Sequence, residues 1–372
     1  MTKQYTPGTH PDLPPPTRTR GPIAWMRLNL FSSPLNALLT ILSVWLLWLI
    51  VPGIMEWIAL DSIWTASDRK DCWAQMNEPR DGACWAFIKS SFQLFLFGWY
   101  PEDLRWRPML CFLLFLIAVV GILKDDLPGK RYWLWYAVAF PFIATWLLIG
   151  GFGLTPVPTT KFGGILLTLI VGIASLSFSL PIGILLALGR RSKLPALRTV
   201  CVLFIEFIRG VPLITLLFVA STMLMYFLPP GSTFDILMRV LIMVTLFASA
   251  YIAEVVRGGL QGLSSGQYEA ADSLGLNYWR AHQLIILPQA LKISIPGIIN
   301  TFIGAFKDST LVIIIGMMDI LGLGRARLND PEWLGLAPEL YIFVSLFFFI
   351  CCFSMARYSL SLEKRLATEH KQ

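Results

Sequence analysis

The 372 residues are 56% hydrophobic and 14% charged, with a mean hydropathy of +0.65. Soluble globular domains carry about 25% charged residues, so this composition excludes one and implies a chain that crosses a membrane repeatedly. The net charge of +7 arises without any dense Lys/Arg tract, which excludes a nucleic-acid binder and fits the basic flanks of membrane spans.

In chain order, residues 1–35 are rich in proline (Pro7, Pro11, Pro14, Pro15, Pro16, Pro22) and read as a disordered cytoplasmic tail. It lacks the design of a signal peptide, because the apolar run starts late, is too long and has no small-x-small cleavage site nearby. Eight apolar runs then predict an all-α polytopic fold: Ala37–Ala59, Trp106–Leu123, Tyr132–Leu154, Phe162–Gly189, Thr199–Leu228, Asp235–Arg257, Ile293–Met317 and Pro338–Arg357. A Trp-rich polar loop, 60–105, separates the first two and ends in FGWYPEDLRWRP, a stretch suited to the membrane interface. Cys72 and Cys84 share this loop and form a disulfide if it is periplasmic. Cys111, Cys201, Cys351 and Cys352 lie in or beside apolar runs and read as packing residues. A composition shift near residue 155 divides a three-span extension, 36–154, from a five-span core, 155–372.

No chemistry of a cofactor is visible. The three histidines, His10, His282 and His370, form no H-E-x-x-H, and Gly129-Lys130-Arg131 is not the end of a P-loop. The chain is therefore expected to bind no metal and to hydrolyse no nucleotide. Orientation follows from the 30 Lys and Arg. With the N-terminus inside, 18 fall in cytoplasmic segments, 9 outside, and Arg209, Arg239 and Lys307 within spans. Cytoplasmic loops carry the positive excess, so both termini are placed inside, and Arg190-Arg191-Ser192-Lys193, with no acid beside it in the sequence, is the firmest inside marker.

Charges within spans are costly, about 2.5–3.5 kcal/mol each on insertion scales, and usually pair or line a path. Glu206 with Arg209, and Glu254 with Arg257, are three residues apart and share a helical face. They read as structural ion pairs near helix ends or as braces of an inner gate, with Gly210 and Pro212 letting the fifth span bend or start there. Lys307 and Asp308 are neighbours and cannot satisfy each other. Either one faces a pathway for a zwitterion, with Ser309 offering a hydroxyl, or they pair with a partner subunit. Thr215, Thr222 and the run Thr222-Met223-Leu224-Met225 line a cavity or simply pack.

Ser264–Pro288 is a polar island between apolar runs. Ser264 and Gln267 make a capping-box pattern, so a helix is expected to start near Gly266. Gly275 fits its stop, Asn277 the cap of a second helix, and Pro288 a break before the next span. The result is a helix-turn-helix outside the lipid.

These residues carry a family resemblance. Glu269-Ala270-Ala271, three residues, Gly275, nine residues, and Ile285-Ile286-Leu287-Pro288 resemble the EAA signature of bacterial ABC importer permeases. From Lys161 onward the chain is similar to the polar amino acid subfamily, through Phe162-Gly163-Gly164 with Thr168-Leu169, the run Phe204 to Leu213 (E-x-x-R-G-x-P-L), the run Ala250 to Gly259 (A-Y-x-A-E-x-x-R-G-G), and Pro288-Gln289-Ala290. Lys307-Asp308-Ser309 departs from the commoner K-D-T-S by having serine, not threonine, after the aspartate. The extension resembles that of the M-type permease of general L-amino acid importers. The resemblance implies a type I importer core in a bacterial inner membrane, translocating L-amino acids. The loop 264–288 would be the coupling helix against a cytoplasmic ATPase dimer, with Gly266, Glu269, Ala270, Ala271, Gly275, Leu287 and Pro288 at the contact and ATP bound by that partner. It also implies a second, different permease and a periplasmic amino-acid-binding protein docking near 229–234 and 318–336. The rival readings are an integral-membrane enzyme and an uncoupled channel.

Overall fold

The computed structural model describes residues 21–76, 81–124, 129–227, 229 and 234–368. The tail to residue 20, His10 and His370, the turn 125–128 and most of the loop 229–234 lie outside the described residues. By contact the chain forms two compact units, Met1–Trp85 and Ala86–Gln372.

In the first unit, α1 (Pro22–Asn29) is helical where the tail was expected to be disordered. Proline at the first helical position costs no hydrogen bond there, so the composition that suggested disorder also suits a helix start. α2 (Pro34–Met55) begins with Ser33 accepting from the Asn36 N–H at 3.2 Å. It extends through a π turn, Glu56–Leu60, and none of its side chains is buried, as lipid-facing helices require. The loop behind it is folded: Asp68 caps α3 (Arg69–Ala74), Trp85 donates its indole N–H to the Ile58 carbonyl at 2.8 Å, and Cys72 is disulfide-bonded to Cys84 with Cα atoms 6.0 Å apart.

The second unit opens with two short helices, α4 (Ala86–Ser90) and α5 (Phe92–Phe97), where the sequence suggested only a loop. Phe87 and Phe95 are fully buried and meet Trp333 and Phe343 at 5.8 and 5.7 Å between ring centroids. Next come α6 (Trp106–Leu123) and α7 (Lys130–Ile149). Tyr100 donates to the Leu148 carbonyl, Arg107 donates to the backbone and side-chain oxygens of Thr155, and Cys111, Leu147 and Leu148 share one core with Leu167, Val171 and Val240. The structure therefore divides near residue 85, not at the composition shift near 155, because these contacts weld the second and third spans to the core.

The centre of this unit is α8 (Gly164–Arg190), with α9 (Pro195–Gly210), α10 (Leu213–Phe218), α11 (Ile236–Gln261), α12 (Ser265–Ser273), α13 (Tyr278–Ala281), α14 (Leu287–Asp308), α15 (Ile320–Leu328) and α16 (Ala337–Thr368) following. Small residues let α8, α11 and α14 approach closely. A Cβ on Gly183 would sit 2.6 Å from Ile252 Cγ2, and one on Gly297 would sit 2.6 Å from Val255 Cγ1. Packing of this kind replaces the hydrophobic drive that lipid removes. Buried Ser179 and Ser249 donate to carbonyls of their own turns, and Ser294 on α14 donates to the Val255 carbonyl of α11 at 3.2 Å.

Seven helices are long and apolar enough to span a membrane among the described residues, or eight if the bent pair α9–α10 counts as one. That bend is 104° and falls at Val211–Pro212. Proline supplies no N–H to carry the helix across, so the fifth apolar run is broken there into two helices. Arg239 on α11 donates to the carbonyls of Ala220 and Ser221, which sit in the π turn Val219–Met223 just beyond α10. The seventh span begins earlier than expected: helix runs from Tyr278 to Ile315 in one candidate span, and α16 continues to Thr368, past the predicted Arg357.

Candidate functional site

The EAA segment folds as a helical knob, built largely from local rules. α12 starts at Ser265, but the capping box does not close: Ser264 makes no side-chain cap, and the Gln267 N–H reaches the Ser264 carbonyl instead. The Gln267 side chain is engaged elsewhere, accepting from Gln289 Nε2 at 2.8 Å. The C-terminus is a complete Schellman turn. Gly275 sits at φ +69°, its N–H donates to the Asp272 carbonyl, and the Leu276 N–H donates to the Ala271 carbonyl. Asn277 then caps α13 by accepting from the Arg280 N–H at 2.9 Å.

Pro288 does not break the chain. The preceding turn, His282–Ile286, widens into a π helix, and Pro288 becomes the second residue of α14. A wider turn moves the carbonyl four residues back out of the pyrrolidine ring's way, and the missing N–H falls where the helix restarts. The second helix of the knob, α13, is thus continuous with the seventh span.

Ala271 is the buried residue of α12, while Gly266, Glu269 and Ala270 face outward. Beside them lie Leu274, 72% exposed, and Trp279, 67% exposed, with Tyr278 and Leu284 also exposed. Leu287 is half-buried and Pro288 exposed. Contiguous exposed apolar side chains with a polar rim mark a surface for another protein.

The inner side of the knob is tied by polar contacts. Arg191, at the end of α8, donates through Nη1 to the Leu260 carbonyl and to the Tyr268 hydroxyl, each at 3.0 Å. Tyr268 in turn donates to the Leu260 carbonyl at 3.2 Å, and its ring lies under the guanidinium at 5.4 Å. The rings of Tyr268 and His282 are 6.3 Å apart, and those of Tyr278 and His282 4.0 Å.

One residue away begins a second constellation. Glu206–Arg209 and Glu254–Arg257 are not two separate pairs. Arg190 Nη1 bonds Glu206 Oε1 at 2.8 Å and Glu254 Oε1 at 2.7 Å, and Arg209 lies 3.5 Å from Glu254 but 3.9 Å from Glu206. Arg257 chelates Glu254 through Nε and Nη2, at 3.1 and 2.8 Å to Oε2, and reaches Gln261. Three arginines and two glutamates therefore lock α8, α9 and α11 together beside the broken span. Arg190, read from sequence only as a marker of sidedness, is its hub.

The proposed pathway residues are spread over different faces. Lys307 is exposed, Asp308 half-buried, and Ser309 fully buried with its hydroxyl donated to the Phe306 carbonyl at 2.6 Å. Ser309 therefore does not share the face of Lys307. The α helix ends at Asp308 and tightens to 3₁₀ over Ser309–Ile315. Thr215 is exposed, and Thr222, also exposed, donates back to the Phe218 carbonyl at 2.7 Å. Met223 is exposed, and the side chain of Met225 lies outside those described.

Sequence reasoning missed Arg190, Arg191, Gln267, Tyr268 and Gln289. Their partners lie up to 77 residues away, as in Arg191–Tyr268, where no periodicity connects them. The available signal was Tyr268, an aromatic residue in the polar first half of the island.

Comparison with known proteins follows the same lines. The family model described as "Binding-protein-dependent transport system inner membrane component" matches residues 179–368. The chain is 49% identical, over 97% of each partner, to the inner membrane amino-acid ABC transporter permease protein YhdY of Escherichia coli (strain K12). It is 43% identical, over 96% of each, to the glutamate/glutamine/aspartate/asparagine transport system permease protein BztC of Rhodobacter capsulatus. A crystal structure of an amino acid ABC transporter with histidines covers 54% of this chain and 92% of its own, at 28% identity and a TM-score of 0.48.

Proposed function

Since the chain belongs to the binding-protein-dependent inner membrane components, among the amino-acid ABC transporter permeases, we propose that it carries amino acids through a bacterial inner membrane while a separate ATPase supplies the energy. The single observation that carries the coupling role is the knob 264–288. It shows an outward face of Glu269, Ala270, Leu274 and Trp279, and is continuous at its base with the seventh span. A pocket in the ATPase would receive this face, with Ala270 permitting close approach. Closure of the ATPase dimer on ATP would then displace α12 and α13 together with α14.

In this reading both termini and the knob are cytoplasmic, and the disulfide-bonded loop 60–85 is periplasmic, where oxidation persists. A second permease of different sequence completes the pathway, and a periplasmic binding protein delivers the substrate near 318–336. Polar L-amino acids fit the resemblance and the names of the relatives. The inner gate is the five-residue network of Arg190, Glu206, Arg209, Glu254 and Arg257, which sits where the fifth span breaks. Lys307 and Asp308 remain the candidates for a zwitterion's countercharges.

A cysteine at Ala270 tests the reading. In membranes containing the complete transporter, a short thiol crosslinker should join it to the ATPase subunit. Crosslinking that never captures a nucleotide-hydrolysing protein, or labelling of this cysteine from the periplasm in intact cells, overturns it.

A further inference from the structure

α12 has few contacts with which to transmit a load. It buries a single residue, Ala271, and joins α11 through Gly262, Leu263 and Ser264. A short glycine-containing linker absorbs a push by rotating its backbone. What stiffens the connection is the closed triangle of Arg191, Tyr268 and the Leu260 carbonyl. Every polar group in it is used consistently: the guanidinium donates twice, the phenol accepts once and donates once, and the carbonyl accepts twice.

The physical chemistry favours this triangle. Leu260 is the penultimate residue of α11, so its carbonyl has no partner in its own helix. A cation there also meets the negative end of the helix dipole. A phenol that accepts from a cation becomes a better donor, so the three bonds reinforce one another. Arg191 directly follows Arg190, which holds Glu206 on α9 and Glu254 on α11. The end of α8 thus links the knob on one side to the charge network on the other.

We propose that Tyr268 and Arg191 form the joint through which displacement of α12 reaches α8, α11 and the broken fifth span, and so act as positioning residues for the coupling of ATP hydrolysis to transport. This rests on the transport reading above. Gln267–Gln289 is a parallel strut to α14, which is already continuous with the knob. Loss of the Tyr268 joint should therefore uncouple α8 and α11 selectively.

The test uses two substitutions and two measurements. Tyr268→Phe keeps the ring and removes the hydroxyl, while Arg191→Lys keeps a cation and removes the planar fork. In the full-length chain in detergent, amide exchange across α12 should rise about tenfold in both, the equilibrium equivalent of one hydrogen bond to a charged group. In the complete transporter in proteoliposomes, amino acid moved per ATP hydrolysed should fall about fivefold, a typical size for loss of coupling, while hydrolysis itself holds. Unchanged exchange in both variants overturns the joint. So does a proportional fall of hydrolysis and transport, which marks a merely structural role. If Tyr268→Phe does not accumulate, Arg191→Lys decides by the same measurements. A wild-type complex that hydrolyses ATP but moves no amino acid defeats the transport reading alone, and the exchange experiment still judges the joint.

Discussion

Neutralising Glu254 should cost the fold far more than neutralising Glu206, although both are glutamates in one network. The Glu254 side chain is 15% exposed and bonds Arg190 and Arg257 directly, with Arg209 at 3.5 Å. Glu206 is 53% exposed, bonding Arg190 at 2.8 Å and reaching Arg209 only at 3.9 Å. The five side chains carry three positive and two negative charges, so Glu254→Gln raises their sum from +1 to +2 and leaves three arginines around one exposed carboxylate. Removing one partner of a buried pair costs about 3–5 kcal/mol, and the residual exposure of Glu254 places it near the lower end. An exposed pair is worth about 0–1 kcal/mol, which bounds Glu206→Gln. Denaturant titration of the two purified variants, followed by tryptophan fluorescence, reads the difference. Equal losses, or a larger loss for Glu206→Gln, would refute the assignment of Glu254 as the central anion.

Gly275→Ala meets no steric obstacle but must hold φ +69°, so α12 should fray at its end by about 1–2 kcal/mol. Gly275→Asn should recover part of this loss, and amide exchange at 274–276 distinguishes them. Asp319 is fully buried at the start of α15 and caps it through the Gly322 N–H, yet burial pushes its carboxyl up to about 6 from 3.8. A raised carboxyl favours the folded state only while protonated. Its contribution is complete below pH 3.8 and is lost as pH rises through 6. Asp319→Asn, which keeps a capping oxygen, should therefore be more stable than wild type at pH 8, by up to about 3 kcal/mol. That advantage should shrink toward pH 5, and thermal melts at the two pH values check the sign. Replacing Cys72 and Cys84 by serine removes a crosslink with a sequence separation of 12, worth about 3 kcal/mol to the loop. Faster proteolytic cleavage within 60–85 is the expected result.

Much of the architecture follows from short-range rules. Twenty-residue apolar runs are long enough to span a bilayer, so the spans could be placed without any contact information. The Schellman turn at Gly275 and the cap at Asn277 each involve residues within five positions, and the structure forms both as expected. The bend at Val211–Pro212 was foreshadowed by Gly210 and Pro212 for the same reason. Two local expectations failed where the tertiary structure supplied a competitor. Ser264 and Gln267 could have closed a capping box, but Gln289 took the Gln267 side chain. Pro288 should have stopped a helix, but a π turn absorbed it because α13 and α14 run into one another.

What the amino-acid sequence determined alone was the order and approximate place of the apolar spans, the polar knob between the sixth and seventh, and the residues at its turn. Each depends on hydrophobicity or on backbone preference over a few positions. Tertiary structure decided which charges meet. Arg190 looked like a lone inside marker until folding brought Glu206 and Glu254 to it from 16 and 64 residues away. Arg191 found Tyr268 across 77. A bare arginine in the sequence states only that a countercharge or carbonyl must be found. Helix packing, which periodicity does not specify, determines which one.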